Sequence, residues 1–402
     1  MNRRKWMMIS SAILATDPAT AQSRQAAAVK NSDADVPPDQ LLLKDYRPRS
    51  VYRIPVTDIK RSKYPNVDVH HHAGAKTPQD VEATLRTMDQ VGVETAIAFC
   101  GVGASFDNSC KLYSKYPRRF QVWCGLNMAG VDKPGFGPGT LRELGRCHEV
   151  GATGVGEVSD KGMGIGGVIS GASNWQGTRP RGGGGAGPQQ RPPLQGAHPD
   201  DPKMDAVWQK CAELGMPINL HVSDPYWGYL PQDKHNDGLM NAYSWRLDDK
   251  PGIMGHNELI LSLEQTLRRH PKTVFIACHL ANLDYDLTRL GQMFDRYPNL
   301  YADISARFAE TAAIPRFTAQ FLNKYPDRVC YGTDMPYSER MFSTTYRILE
   351  SLDEHFYEQD LYFNFNYHWP MHGFGLSDAV LKKVYRDNAL TAFKLARDAA
   401  KT

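Results

Sequence analysis

The sequence lacks several features that mark particular classes of protein. Its 402 residues carry a formal net charge of only +3, and no run of Lys or Arg is interleaved with aromatic residues. Neither a nucleic-acid-binding surface nor a polybasic patch for a membrane is therefore expected. Beyond the N-terminus, no segment is long and apolar enough to suggest a membrane-spanning helix. The expected partner is a small neutral or anionic molecule, and assembly into a homo-oligomer is left open.

Cysteine is also scarce, and its spacing does not suit a disulfide framework or a cysteine-based zinc site. The chain has seven cysteines, an odd number, and no Cys-x-x-Cys pair. Four of them lie in apolar, strand-like runs and are predicted to be buried thiols. These are Cys100, Cys124, Cys278 and Cys330.

The first residues have the outline of an export signal. Residues 3–5 are Arg-Arg-Lys, residues 6–15 form a short apolar stretch, and Ala-Thr-Ala at 19–21 offers a small-x-small cleavage site. Residues 1–21 are therefore predicted to be a signal peptide, and the adjacent arginines favour the twin-arginine type. This predicts export to the bacterial periplasm or beyond, without membrane insertion once the signal is removed. The alternative is a disordered basic N-terminus on a cytoplasmic protein.

Short apolar strands alternate with amphipathic helical stretches over residues 66–402, whereas residues 22–65 are predicted to form a linker and an extended arm. Such alternation predicts an α/β fold with a parallel sheet. Eight strands favour a closed (β/α)8 TIM barrel over an open doubly wound sheet. The predicted strands read NVDVHHH, ETAIAFCG, FQVWCGLNM, GATGVGEV, PINLHVS, TVFIACHL, LYADIS and VCYGTD.

One segment interrupts this alternation after the fourth strand. Residues from about 161 to 200 are dense in Gly, Pro and Gln, and such a composition cannot bury enough apolar surface to fold alone. We predict a low-complexity insertion on the rim where barrel active sites are built. It is either a substrate lid or a surface loop without a role in catalysis.

Three adjacent histidines end the first predicted strand. Because alternate side chains of a strand share a face, His70 and His72 point one way and His71 points the other way, toward the helix layer. Four further candidates stand at the ends of later strands, which meet at one mouth of a barrel. They are Glu157, His221, His279 and Asp334. Such a set of imidazoles and carboxylates predicts a divalent ion, Zn²⁺ in the first place and Mn²⁺ or Fe²⁺ as alternatives, because burying these groups without an ion is costly.

Several motifs together resemble the amidohydrolase superfamily: DVHHH, NLHVSDP, FIACHLAN, YGTDMPY and VYRDNALTAF. More narrowly, they resemble its amidohydrolase-related (amidohydrolase 2) group, which includes aminocarboxymuconate-semialdehyde decarboxylase and related metal-dependent hydrolases. The resemblance covers roughly residues 67–393. It is specific for the superfamily and says little about the substrate.

The resemblance assigns roles to individual positions. It implies that a metal ion is surrounded by His70, His72, His221 and Asp334. It also implies that Asp334 accepts a proton from the attacking water, and that His279 either binds a second ion or polarises the substrate. Glu157 departs from the single-metal pattern, because it stands where two-metal relatives have a bridging lysine carbamate or glutamate. One ion or two therefore stay open, and the alternative for Glu157 is an ion pair with an Arg or Lys at the barrel mouth.

Two reactions agree with this set of residues. Water activated by a metal ion, with a carboxylate to take its proton, predicts hydrolysis of an ester, lactone or amide. The resemblance to the decarboxylase implies the alternative, which is non-oxidative loss of CO₂ from an aromatic or muconate-type acid. A third alternative is a catalytically inactive exported binding protein. A missing ligand would be its signature, and none is missing.

Aromatic loops are the candidates for substrate binding. The long loop after the fifth predicted strand contains Tyr226 and Trp227, and a segment near the end of the chain contains His368. Aromatic rims often hold planar or ring-shaped molecules, so these three residues are predicted to contact a small, ring-containing substrate. The alternative is that their side chains simply pack the loops onto the barrel.

Overall fold

The structure is a computed structural model, and it describes residues 36–168, 194–242, 246–358 and 368–401. The predicted signal peptide and the first part of the predicted linker lie outside the described residues. The chain divides into two compact units, Met1–Tyr46 and Arg47–Thr402. Of the first unit, residues 36–46 are described, and they contain a 3₁₀ turn at Leu43–Asp45. In the second unit, residues 47–65 precede the first strand without regular secondary structure.

Eight strands form the centre of the second unit. They are β1 (Asn66–His72), β2 (Val93–Phe99), β3 (Phe120–Trp123), β4 (Val155–Asp160), β5 (Ile218–Val222), β6 (Phe275–Ala277), β7 (Leu300–Asp303) and β8 (Val329–Cys330). All pair in parallel, β1 to β3 in one sheet and β4 to β8 in another. Backbone hydrogen bonds join the sheets at both seams: Cys124 N donates to Gly154 O (3.0 Å), and Val69 N donates to Tyr331 O (3.1 Å). The protein is therefore the (β/α)8 barrel that the sequence predicts.

Helices follow the strands and cover the barrel. Those in the described residues are α1 (Pro78–Val91), α2 (Gly103–Tyr113), α3 (Pro138–Val150), α4 (Pro202–Glu213), α5 (Leu239–Ala242), α6 (His256–Arg269), α7 (Leu287–Arg296), α8 (Phe308–Ala312), α9 (Pro315–Lys324), α10 (Glu339–Glu350), α11 (Asp378–Lys382) and α12 (Asn388–Ala399). Helix α1 shows why the sequence signals work: Thr77 caps its first turn and Gly92 ends it at φ 96°. None of the helices in the described part of the chain combines the length and apolar character needed to cross a membrane.

Strand β1 contains a bulge just before the histidines. Between Asp68 and His71 it has one more residue than the facing part of β2. Val69 packs in an apolar cluster with Phe99, and the His70 ring also contacts Phe99, at 5.1 Å between centroids. The adjacent residues Val69 and His70 thus both point inward. Strict alternation would place Asp68 on the same face as His70, but the bulge makes Asp68 face outward.

Several predicted strands are too long at the barrel mouth, and this part of the prediction is wrong. The chain leaves the extended conformation after Ala277 in β6 and after Cys330 in β8. Beyond those points His279 and Asp334 adopt positive φ values, 59° and 51°. The mouth-facing side chains reach a common centre because the backbone turns there instead of continuing outward.

The predicted insertion lies between β4 and α4, and its two described ends are packed rather than loose. Ile165 and Ala197 form an antiparallel bridge, as do Val168 and Leu194. Ile165 and Ala197 are buried. The described ends of the predicted insertion therefore form a paired ribbon, which satisfies their backbone groups. Residues 169–193 lie outside the described residues.

All seven cysteines are free and buried, as the sequence suggested for four of them. Cys278 does more than fill space, because its thiol donates a hydrogen bond to Oδ1 of Asn219. Its sulfur lies within 4.8 Å of a ring nitrogen of His70.

Candidate metal centre

Six polar side chains meet at the carboxyl ends of the strands. They are the residues that the sequence placed at strand ends: His70, His72, Glu157, His221, His279 and Asp334. Among them are three triplets whose candidate ligand atoms lie within 4.8 Å of one another. We call these six residues the central cluster.

The first part of the central cluster gathers around Asp334. Its Oδ1 atom lies 3.0 Å from Nε2 of His72 and 3.6 Å from Nε2 of His70. Oε2 of Glu157 faces the same two nitrogens, at 3.4 Å from His72 and 3.9 Å from His70. The His70 side chain is fully buried, whereas that of His72 is 54% exposed. This part of the cluster therefore reaches solvent beside His72.

The second part gathers around the other oxygen of Glu157. Oε1 forms a hydrogen bond with Nδ1 of His221 and lies 3.8 Å from Nε2 of His279. Oδ2 of Asp334 lies 3.7 Å from the same nitrogen of His279. Glu157 and Asp334 each divide their two oxygens between two groups of imidazoles. This division offers two neighbouring positions for a cation.

The central cluster fits a divalent ion. Nε2 of His70 is buried and has no hydrogen-bond partner within the described residues, which is unfavourable unless another group satisfies it. Ligands held at about 2.1 Å around a tetrahedral ion lie about 3.4 Å from one another. The separations of 3.0–3.9 Å between the nitrogens of His70 and His72 and the two carboxylates bracket that value. Imidazole and carboxylate donors suit Zn²⁺, Mn²⁺ and Fe²⁺ alike.

Two residues that the sequence analysis missed hold the histidines from below. Asp303, at the end of β7, lies with Oδ2 3.1 Å from Nδ1 of His70 and accepts from the backbone N–H of His279 at 3.0 Å. Ser305 lies with its carbonyl oxygen 2.9 Å from Nδ1 of His279. In both rings Nδ1 is thus hydrogen-bonded to the protein and Nε2 points toward the centre of the cluster, which is the usual arrangement of metal-binding histidines. Asp303 lies two residues before the end of the predicted strand LYADIS, so a search for carboxylates near strand ends could have found it.

A left-handed turn aims His279. Successive residues after β6 have φ of 59° at His279, 55° at Leu280 and 56° at Ala281, and Asn282 continues at 52°. This conformation costs roughly 1–2 kcal/mol for each non-glycine residue. Asn282 stabilises it, since its side chain donates to the carbonyls of Val222 (3.0 Å) and Ser223 (3.2 Å). Strain held in this way is typical of functional sites.

Burial and neighbouring charges set the protonation of the central cluster. Burial, with the charge of His221, lowers the pKa of His279 to about 4, so its ring is neutral at pH 7. Burial raises the pKa of Asp334, but His70, His72 and His279 together outweigh it and the pKa lies below its usual value. For Glu157 burial is likewise outweighed, here by His221 together with His279 and His70, and the pKa lies well below its usual value. Both carboxylates are therefore ionised and suited to a cation.

A buried chain of charges supports His221. Its Nε2 atom lies 3.4 Å from Oδ1 of Asp224, and Nζ of Lys161 lies 2.7 Å from the same oxygen. Burial lowers the pKa of Lys161, but the charge and hydrogen bond of Asp224, together with the charges of Glu157 and Asp334, outweigh it and the pKa is raised. Lys161 therefore brings a positive charge to the mouth beside the central cluster. Neither residue was among the candidates from sequence, although Asp224 directly follows a predicted strand and Lys161 directly follows β4.

A family comparison places these residues in context. Residues 65–395, most of the chain, match the model of the amidohydrolase family. The chain belongs to the amidohydrolase family. Within it, the match is to the amidohydrolase 2 group, as the motifs suggested. A search of the curated proteins gave no match.

Solved structures give only distant likenesses. The chain is similar to L-hydantoinase (dihydropyrimidinase) from Arthrobacter aurescens, with 13% identity, a TM-score of 0.47, and 82% of this chain and 71% of that one covered. It is similar to amidohydrolase 2 from Bifidobacterium longum subsp. infantis, with 14% identity, a TM-score of 0.40, and 83% and 99% covered. It is also similar to the apo IDCase of Metarhizium anisopliae, with 12% identity, a TM-score of 0.45, and 83% and 98% covered. Likenesses at this level say nothing about the substrate.

Membership of the family makes this protein a metal-dependent enzyme of the amidohydrolase type. In this amidohydrolase, the middle histidine of the HHH motif lies apart from the central cluster. The ring of His71 packs against Tyr337, at 4.4 Å between centroids, and burial lowers the pKa of His71 to about 3. His71 is therefore a neutral packing residue on the outer face of β1.

The predicted substrate residues are not joined to the central cluster by any hydrogen bond or ion pair in the described part of the amidohydrolase. Tyr226 stacks on Tyr285, at 4.1 Å and 10° between the rings, and lines a cavity of about 360 Å³ with Tyr229 and His256. The rings of Trp227 and Trp369 lie 5.5 Å apart, and His368 adjoins Trp369 at 6.4 Å. Their role in substrate binding stays a prediction.

Proposed function

We propose that this amidohydrolase hydrolyses an ester, lactone or amide bond of a small, ring-containing substrate. The observation that carries the proposal is the position of Asp334. Its ionised carboxylate faces imidazoles of both parts of the central cluster, at 3.0 Å from His72 and 3.7 Å from His279. A carboxylate in that place can take a proton from water during attack on a carbonyl and then give it to the leaving group.

The metal would be held by His70, His72 and Asp334 on one side and by His221 and His279 on the other, with Glu157 facing both. A divalent ion in such a site polarises a carbonyl group and lowers the pKa of water toward neutrality. The division of the Glu157 oxygens supports two ions, with Zn²⁺ proposed first and Mn²⁺ or Fe²⁺ as alternatives. Asp303 and Ser305 would keep the rings of His70 and His279 oriented whether one ion or two are present.

The charge of the central cluster favours a neutral substrate. Glu157 and Asp334 bring two carboxylates that together balance the charge of one divalent ion, so a site that holds one ion has no net charge with which to attract a substrate carboxylate. An ester, lactone or amide needs no such attraction. Neutral His279 presents an unprotonated Nε2 opposite Asp334, and this nitrogen can bind an ion or accept a hydrogen bond from an N–H or O–H group of the substrate.

A second candidate is non-oxidative decarboxylation of an aromatic or muconate-type acid. The observation that favours it is Lys161, whose ammonium group lies beside the central cluster with its side chain 33% exposed. A cation there would attract the carboxylate of an acidic substrate. Decarboxylation would then use Asp334 and His279 to move the proton that replaces CO₂.

Purified protein loaded separately with Zn²⁺, Mn²⁺ or Fe²⁺ tests both reactions. It is offered aryl esters, aromatic lactones and anilides on one side and hydroxybenzoic acids on the other. Hydrolysis predicts release of acid, with ¹⁸O from water in the product, whereas decarboxylation predicts CO₂ and deuterium from D₂O at the vacated carbon. Chelator-treated protein is the control. Metal-loaded protein that binds these compounds but turns over none would favour the inactive binding protein instead.

Export, a small-molecule partner and self-association are also proposed. Export rests on residues 1–21, which lie outside the described residues, and N-terminal sequencing of the secreted protein would test it. A mature chain beginning near Gln22 outside the cytoplasm is expected, and an intact Met1 in the cytoplasm would contradict the proposal.

A further inference from the structure

Asp68 is a buried carboxylate that the proposed reaction does not use. It precedes His70 on β1, and the bulge turns it outward, toward the segment that follows β8. Its side chain is fully buried there. A buried carboxylate is costly unless donors surround it.

Four donors surround Asp68. Its Oδ1 accepts from the backbone N–H groups of His70 (3.0 Å) and Thr333 (2.9 Å). Its Oδ2 accepts from the hydroxyls of Thr333 (2.7 Å) and Tyr337 (2.7 Å). An ionised carboxylate has about four acceptor sites, and all of them are filled.

These donors belong to the two segments that bring His70 and Asp334 together. Thr333 directly precedes Asp334, and Asp334 N donates to the carbonyl oxygen of His70 at 2.8 Å. β8 ends at Cys330, so no regular strand pairing reaches Asp334. Asp68 replaces that pairing with side-chain bonds.

We propose that Asp68, Thr333 and Tyr337 form a positioning clamp that sets the separation of His70 and Asp334, and thereby the metal affinity of the central cluster. The proposal rests on one part of the proposed function, namely that His70 and Asp334 bind the ion. Such a clamp contributes to metal affinity as well as to the stability of the fold. Residues outside the first ring of ligands typically change metal affinity 10- to 100-fold.

The test compares two part-buried tyrosine–carboxylate hydrogen bonds of equal length. Tyr337→Phe removes the 2.7 Å bond to Asp68, and Tyr385→Phe removes a 2.7 Å bond to Glu350. Tyr385 lies at the same seam, with its ring 5.5 Å from that of Tyr331, but it contacts neither His70 nor Asp334. For each variant, the dissociation constant for Zn²⁺ is measured by competition with a chromogenic chelator. The thermal midpoint of the metal-free protein is measured alongside.

The clamp predicts that Tyr337→Phe weakens Zn²⁺ binding about tenfold, whereas Tyr385→Phe leaves it within about twofold of the wild type. Both lower the thermal midpoint by similar amounts. Equal Zn²⁺ affinity in the two variants would overturn the proposal, since the clamp would then be a structural seam only.

A second pair keeps the test independent of folding defects. Thr333→Val removes the hydroxyl bond at almost constant shape, and Thr333→Ser keeps it. Weaker Zn²⁺ binding in Thr333→Val and wild-type binding in Thr333→Ser support the clamp, and equal binding in the two contradicts it. If the wild-type protein binds none of Zn²⁺, Mn²⁺ and Fe²⁺, the metal centre itself is contradicted. Failure of the clamp and failure of the metal centre are therefore distinguishable.

Discussion

Nδ1 of His70 lies 3.1 Å from Oδ2 of Asp303, and both side chains are fully buried. This contact decides which nitrogen of the ring faces the centre, because Nδ1 is engaged below and Nε2 is left to face Asp334. His72, at the next inward position of β1, also faces Asp334, while His71 lies on the opposite face of the strand. The three adjacent histidines are therefore not equivalent.

The first prediction concerns these three histidines. His70→Ala should weaken metal binding by more than about 100-fold, because residues that only support the ligands already change it by up to that factor. His72→Ala should also release metal. Each variant loses a nitrogen that faces both carboxylates. His71→Ala is the matched control and should keep metal content and turnover, with a packing loss only. Metal analysis of each purified variant and a turnover assay check this. Full metal occupancy in His70→Ala and His72→Ala, with loss in His71→Ala, would show that the first strand has been misread.

The second prediction separates metal binding from proton transfer. In Asp334→Asn the amide oxygen can still face His72 and the ion, but it cannot accept a proton. We expect metal content near that of the wild type and a fall in kcat of about 100-fold or more, the usual contribution of a general base. Metal analysis and kcat on the same preparation decide the matter. An unchanged kcat would remove Asp334 from the proposed mechanism.

The sequence predicts the barrel and the six residues of the central cluster because both depend on simple periodicity. Parallel strands bring their ends to one mouth, and inward positions two apart, such as His70 and His72, share a face. The bulge that sends Asp68 outward and the left-handed turn at His279 break that periodicity. Both are stabilised by partners distant in sequence: Thr333 for Asp68, and the carbonyls of Val222 and Ser223, reached by the Asn282 side chain, for the turn. Local sequence patterns carry no information about such contacts.

The third prediction concerns the insertion between β4 and α4. Val168 N donates to Leu194 O at 2.8 Å and Leu194 N donates to Val168 O at 3.2 Å, a narrow pair that a two-residue Asn-Gly turn can close. Replacing residues 169–193 by Asn-Gly should leave the thermal midpoint unchanged or slightly raised, since shortening a loop recovers about 0.6 kcal/mol per halving of its length. Deleting residues 166–196 should lower it, because the bridge between Ile165 and Ala197 is disrupted. Equal stability of the two deletions would mean that this ribbon contributes nothing.

The fourth prediction is a pH dependence of stability that arises away from the metal centre, at His256. Its side chain is only 3% exposed. Nε2 donates to the carbonyl oxygen of Asn282 at 2.9 Å, and three tyrosine rings lie edge-on to the imidazole at 5.3–5.4 Å, those of Tyr226, Tyr229 and Tyr285. Burial lowers the pKa of His256 from 6.5 to about 4. The folded protein therefore prefers the neutral ring.

Because the pKa of His256 is lower in the folded than in the unfolded chain, its contribution to stability is complete above pH 6.5 and is lost as the pH falls toward 4. At about 1.4 kcal/mol per pH unit, the loss is about 3 kcal/mol. Urea unfolding of the metal-free protein at pH 7.0, 5.5 and 4.5 measures it. His256→Gln should be less stable at every pH, since three ring contacts are lost, but its stability should fall less steeply between pH 6.5 and 4. Parallel pH profiles for the wild type and His256→Gln would mean that the His256 ring is already protonated, or exposed, in the folded protein.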